Sequence, residues 1–415
     1  MPGTGLLRRV RVIESETLLL FVVLLVGITI IVSILIKAGL ERVGIPALVG
    51  YLLLGVIVNS INGQIYFLVP SVREVYAFLA ELGIISLLFR VGLESNLAGL
   101  IKQLPRASFI LLGNLFCSGV LGFLAASKLL SLELIPSLFI SIAMMATSVG
   151  ISVSVWQEAK VLDTDNGELL VDIAEMDDIA AIALMSLFFA MIPVLNGDVE
   201  ANILTVFLRT IIPFLIKVSI FAAFCLILFR YLEQPMTRWF EWLEPAPDPM
   251  LMVAGTAFII AALAGLMGFS VAVGAFFAGL AFCHDPDVVN FDASFGTLYD
   301  FFVPFFFINI GLQLQVNSVD TSLSLVLVLL LVAVLGKVIG TGLPAVLTTD
   351  SASALLLSIS MIPRAEIAMI IMERGLQLGD WAVSPQIFTS MVIMSAITCT
   401  ISPLVLRPLL QKTHS

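Results

Sequence analysis

The sequence predicts an all-α polytopic membrane protein of about thirteen transmembrane helices. Three observations carry that prediction. Of the 415 residues, 60% are hydrophobic and 12% charged, about half the charge that soluble domains carry. Apolar runs of 17 to 25 residues recur from Thr17 onward, each long enough to cross a hydrocarbon layer about 30 Å thick as a helix. Strands that alternate apolar and polar residues are missing, which excludes a membrane β-barrel.

The spans follow in order. The first, 17–37, is too long for a signal-peptide core and reads as a helix. The second and third, 45–60 and 75–92, carry glycines at intervals suited to close helix packing. The fourth, 106–129, is an apolar run, and the fifth, 135–157, is interrupted by Thr147-Ser148-Val-Gly150. The sixth, 168–193, holds acidic residues, and a long seventh run covers 203–232. Spans at 250–268, 270–284 and 297–313 come next, then 322–345 with an embedded lysine. The twelfth, 353–373, is broken at Pro363, and the thirteenth, 385–408, leaves a short tail with no soluble regulatory domain expected.

Charge and composition narrow the function classes. A net charge of −10 argues against nucleic acid as a partner. The four cysteines are scattered and there are two histidines, so a disulfide frame, a zinc or haem centre and a bound cofactor are not expected. No nucleophile–base constellation points to an enzyme. Lys37, Arg42, Lys102, Arg106, Lys160, Arg230 and Arg238, with Arg407 and Lys412 in the tail, outweigh Arg73, Lys128 and Arg374 on the opposite side. That bias puts the C-terminus in the cytoplasm and the N-terminus outside, although Arg8, Arg9 and Arg11 oppose it. The expected location is the cell (inner) membrane, spanned many times.

An internal echo is the most informative pattern. Gly44, Gly50 and Gly55 recur in spacing as Gly268, Gly274 and Gly279, and Phe89-Arg-Val-Gly92-Leu93 is echoed by Ile308-Asn-Ile-Gly311-Leu312. The shift of about 220 residues covers seven spans, an odd number, so the second copy is inverted relative to the first. The interruptions at Thr147 and at Pro363 lie about 215 residues apart, close to the same shift. Unwound backbone at membrane depth survives where it lines a cavity or is buried in protein, and it leaves carbonyls suited to ion coordination.

Charges inside spans each need a reason, because one at the bilayer centre costs at least about 2.5–3.5 kcal/mol. Asp177 and Asp178 are adjacent and so point about 100° apart on a helix, free to take different partners. Lys337 is the intramembrane cation best placed to hold one of them ionised, leaving the other for a metal ion or proton. Glu168, Asp172, Glu175 and Asp178 share one helical face, which reads as a cytoplasmic funnel at Asp172 and Glu175 that concentrates cations, or, for Glu168 above all, as the acidic start of a helix.

Taken together, Gly44 to Asn59, Leu88 to Glu94, Ala146 to Ser152, Asp177-Asp178, Ala272 to Gly279, Phe306 to Leu312, Gly336-Lys337 and Pro363-Arg364-Ala-Glu366 resemble the monovalent cation/proton antiporter superfamily. The likeness is to its branch of bacterial electrogenic sodium/proton antiporters and Kef-like relatives. The resemblance implies an NhaA-like fold with two crossing discontinuous helices and a homodimer in lipid. It assigns 17–92 and 203–313 to dimerisation (panel) and scaffold helices, and 106–193 and 322–373 to the ion-translocation core. It implies that Asp178 binds the ion and proton, Asp177 pairs with Lys337, Thr147 and Ser148 lie beside the ion, and Arg364 and Glu366 stabilise the core. The expected activity is alternating-access exchange of sodium (or lithium) for protons, electrogenic, with those ions as cargo and no cofactor. The alternatives are a potassium/proton exchanger of Kef type, or a gated channel or sensor.

Overall fold

The computed structural model describes residues 3–65, 67–94, 97–162, 164–195, parts of 212–227, 249–267, 269, 271–282, 288–314 and 319–413. Among these residues the regular structure is helical and no strand occurs. In chain order the helices are α1 (Gly3–Arg42), α2 (Ala47–Ile65), α3 (Pro70–Glu94) and α4 (Leu97–Leu124), which continues into a π-turn at Ala125–Leu129. Then come α5 (Leu134–Met145), α6 (Val149–Glu158), α7 (Asp165–Leu195), α8 (Pro249–Leu266), α9 (Val271–Phe282) and α10 (Val288–Gln313). The chain closes with α11 (Val319–Thr348), α12 (Ser351–Ser360), α13 (Glu366–Leu378) and α14 (Pro385–Thr413).

Among the described residues, five helical stretches are long and apolar enough to cross a membrane: Leu19–Arg42, Pro70–Leu93, Pro105–Leu129, Leu323–Thr348 and Pro385–Gln411. Ala47–Gly63, Leu134–Met145, Ala254–Leu266, Val271–Leu280 and Ser351–Ser360 are shorter apolar helices. Most of the expected span 203–232 lies outside the described residues, as does Gly268 of the second glycine set. The apolar face that lipid would solvate is plain on α1, where Leu20, Val23, Ile31 and Leu35 are each more than three-fifths exposed.

The chain forms two compact units, one of Met1–Ile84 with Leu298–Gln313 and the other of Ile85–Thr297 with Leu314–Ser415. In the first, Lys37 Nζ bridges both oxygens of Asp300 at 2.7 Å, and Thr29 and Tyr76 share a buried 2.6 Å hydrogen bond. α2 and α10 touch at Gly55 and Gly311, where a Cβ on Gly55 would lie 2.8 Å from Gly311 Cα. In the second unit, α3 and α9 touch the same way, a Cβ on Gly279 lying 2.8 Å from Gly92 Cα. Only a glycine fits at either contact, so among the echoed glycines Gly55, Gly92, Gly279 and Gly311 are where these backbones meet.

The second unit is organised around the close approach of α4 and α11. A Cβ on Gly113 would lie 2.7 Å from Gly340 O, and one on Gly336 would lie 3.1 Å from Ser118 Cα. Around them, Ile110, Trp156, Leu169, Ile173, Leu357 and Leu406 belong to one buried apolar cluster. Two helices of this unit are interrupted. α5 stops at Met145, Ala146 is extended (φ −63°, ψ 143°), and α6 starts after Ser148 (φ −101°, ψ 86°). α12 stops at Ser360 and α13 begins after Ala365 (φ −141°, ψ −95°). Pro363 supplies a local reason for the second break, since it lacks an N–H and disfavours helix in the residue before it.

Candidate functional site

The two breaks meet in the interior of the second unit. Ser148 N donates to Pro363 O at 2.8 Å, joining one interruption directly to the other. Beside this junction α6 and α12 are pinned: Ser152 Oγ donates to Ser360 O at 2.6 Å, and Trp156 Nε1 donates to Ser360 Oγ at 2.9 Å. From α14, Ser402 Oγ donates to Ile359 O at 2.9 Å and Cys399 Sγ contacts Arg364 O at 3.1 Å. Glu366, at the start of α13, is hydrogen-bonded to the Ser148 side chain.

The two breaks are neutralised differently. Carbonyls at the end of a helix have no partner within it and carry the negative end of its dipole. At the second break, Ile359, Ser360, Pro363 and Arg364 present carbonyls to uncharged donors. At the first break the donors are cations. Lys337 Nζ, on α11, donates to Met145 O at 2.7 Å and to Thr147 Oγ1 at 2.6 Å. Arg364 Nη1 donates to Ala146 O at 2.9 Å, while its Nη2 reaches Ala333 O at 3.3 Å. Both side chains are fully buried.

Asp177 faces this pair from α7. It is fully buried and within electrostatic reach of both Lys337 and Arg364. Its Oδ1 accepts from Asn114 Nδ2 at 2.9 Å, and its Oδ2 makes no hydrogen bond among the described residues. The sequence-based expectation of direct Asp177–Lys337 pairing therefore differs from this geometry in one respect: the two share no hydrogen bond. The physical reason is that the frayed end of α5 offers Lys337 two oxygens at once, while Asn114 serves the carboxylate.

Asp177, Lys337, Thr147, Ser148, Arg364 and Glu366 are thus gathered at one junction. Asp178, one residue further along α7, is half-buried and has interaction partners of its own. Asp172 is half-buried and Glu168 exposed, near enough to repel one another; the Glu175 side chain lies outside the described residues. Sequence reasoning missed Asn114, Trp156, Ser402 and the part taken by Cys399. Asn114 does carry a sequence signal, an amide inside the apolar run 106–129.

The family model for the transmembrane sodium/hydrogen exchanger matches residues 17–412. The chain belongs to that family. Its relatives include a Na(+)/H(+) antiporter of Enterococcus hirae, 28% identical over 381 residues that cover 90% of this chain and 94% of that one. The Na(+)/H(+)-K(+) antiporter GerN of Bacillus cereus is 27% identical over 88% of this chain and 90% of its own length. The glutathione-regulated potassium-efflux system protein KefC of Escherichia coli is 26% identical over 73% of this chain but 46% of its own length. Among solved structures, the sodium proton antiporter MjNhaP1 of Methanocaldococcus jannaschii at pH 8 superposes with a TM-score of 0.71 at 15% identity, covering 95% of this chain and 99% of that one. That likeness shows the fold. This member of the exchanger family is accordingly an all-helical, multi-pass membrane protein of a transporter family, with its interrupted helices and buried charges in one unit.

Proposed function

We propose that the chain is a secondary antiporter that exchanges sodium, or lithium, for protons by alternating access and moves net charge in each cycle. The observation that supports this most is the buried junction at the first helix break. There Asp177 keeps one oxygen without a hydrogen bond, while Lys337 and Arg364 occupy carbonyls that a metal ion would otherwise find attractive. A buried carboxylate and two buried cations are costly to maintain in a bilayer, and such groups belong to ion pathways.

In this reading sodium and protons compete for the carboxylates at Asp178 and Asp177. Sodium arriving at Asp178 displaces its proton and draws on Asp177, and Lys337 releases a second proton. Two protons then move against one sodium. Thr147 and Ser148 lie beside the ion, while Arg364 and Glu366 hold the breaks together. Asp172 and Glu175 gather cations on the cytoplasmic approach. The reciprocal glycine contacts, Gly55 with Gly311 and Gly92 with Gly279, fit two inverted copies, each supplying one partner of each contact. A homodimer in the cell membrane, with the C-terminus in the cytoplasm, completes the proposal.

Potassium is the second reading, favoured by the similarity to GerN and KefC. Proteoliposomes with an imposed proton gradient separate the two. Proton movement driven by sodium and lithium supports the first reading; movement driven by potassium alone supports the second. A gradient that collapses without any counter-ion indicates a channel, and one that persists under every ion indicates a sensor. Asp178→Asn is expected to abolish exchange in the same assay, and sodium-dependent proton movement that survives it removes Asp178 from the site.

A further inference from the structure

Asn114 carries no role in the exchange cycle just proposed, yet it is the hydrogen-bond partner that the described residues provide for Asp177. Both side chains are fully buried. The amide nitrogen donates to Oδ1 at 2.9 Å, and the amide oxygen accepts from Ser118 Oγ at 3.4 Å. With its oxygen end taken by a hydroxyl that can donate, the amide turns its donor end toward the carboxylate. α11 confines the same residue from another side, since a Cβ on Gly340 would lie 3.0 Å from Asn114 Cα. The amide is therefore fixed in place, direction and polarity.

We infer that Asn114 is a positioning residue for the exchange reaction, holding Oδ1 of Asp177 so that Oδ2 alone meets the exchanging partner. The inference rests on the antiporter reading of the Asp177–Asp178 pair. Its physical content is preorganisation. A carboxylate free to rotate gives up that freedom each time it binds, whereas one tethered through Oδ1 has given it up already. A neutral amide does this without adding charge to a site that already holds Lys337 and Arg364. Without the tether, a smaller fraction of the protein holds the carboxylate in a binding-competent pose, so the apparent affinity falls by that fraction. The maximal rate at saturating sodium remains.

Sodium-driven proton flux in vesicles containing the full chain tests this, together with the sodium-dependent rise in melting temperature, which needs no turnover. Asn114→Leu, similar in size but without a donor, is expected to raise the sodium KM about tenfold with the maximal rate retained. Asn114→Ser, a shorter donor, is expected to recover part of that loss. In an Asp177→Asn background, Asn114→Leu is expected to leave the sodium dependence of melting unchanged, because the effect acts through Asp177. Should Asn114→Leu not fold, Asn114→Ser carries the same comparison. An unchanged KM in folded Asn114→Leu, or an equal loss of affinity in the Asp177→Asn background, overturns the inference and leaves the antiporter reading intact. Unmodified vesicles that show no ion-driven proton flux overturn the reading and the inference together.

Discussion

Arg364 is the residue whose geometry most constrains its replacement. Its two terminal nitrogens reach carbonyls on different elements, Ala146 O at the first break and Ala333 O on α11. A lysine keeps the charge but ends in one small ammonium, which cannot span the two oxygens as a planar fork does. Arg364→Lys is expected to lower stability by about 1–3 kcal/mol, the range for leaving a buried acceptor unsatisfied. Thermal unfolding in detergent measures it. Lys337→Met removes the donor to Met145 O and Thr147 Oγ1 and, in the proposed cycle, the second proton. Less charge moved per sodium in a voltage-clamped vesicle assay is the expected result, and an unchanged stoichiometry would refute that role. The charged residues of the site stood out in the sequence because charge is rare in apolar runs. Their partners did not, because a serine, an asparagine or a main-chain carbonyl carries no comparable local signal.

At the level of elements, the glycine contacts and the helix starts are what substitutions can probe. Gly92 and Gly279 sit where α3 and α9 touch through their backbones, with Phe276 O and Phe89 O in the space a Cβ needs. Gly92→Ala is expected to push the helices apart and destabilise by about 1–3 kcal/mol. Gly255, on α8, has nothing within 4 Å of its would-be Cβ; Gly255→Ala is expected to stabilise slightly, by about 0.4–1 kcal/mol. Opposite shifts in melting temperature for the two variants check both. The spacing of these glycines was legible; the identity of their partners was not, because it depends on how distant helices are brought together. The breaks were legible for different reasons. Pro363 interrupts a helix by its own covalent structure, whereas Thr147-Ser148-Val-Gly150 merely weakens one.

The start of α12 adds a pH-dependent element. Asp350 accepts from Ser353 Oγ at 2.5 Å and from the Ala352 and Ser353 N–H groups at 2.9 and 3.0 Å. The Ser353 hydroxyl, and then the backbone donors, hold the carboxyl below its usual range. A lowered value in the folded state means the cap contributes above the ordinary carboxylate pKa, and its contribution fades as pH falls through the lowered one. Asp350→Ala is therefore expected to lower the melting temperature at neutral pH, Asp350→Asn to retain most of it, and the difference between native chain and Asp350→Ala to shrink in strong acid.

Across the whole molecule, the helical structure of the described residues agrees with what composition and apolar run length predict, and membership in the exchanger family agrees with the motif resemblance. Proton flux driven by sodium, lithium or potassium is the measurement that belongs to this scale, because selectivity arises from the complete coordination shell. The residue types lining a carboxylate site hardly separate the two larger ions.

Hydrophobic run length, the rarity of charge and the position of Pro363 are local properties, and they sufficed to determine a polytopic helical chain with polar groups sunk at mid-span. Which group answers which was decided only by tertiary structure. Asn114 and Asp177 are 63 positions apart, Lys337 and Met145 are 192 apart, and no local pattern links them. Their hydrogen bonds exist because glycines let α4 and α11 close together and because the frayed end of α5 needs cations that apolar surroundings cannot supply.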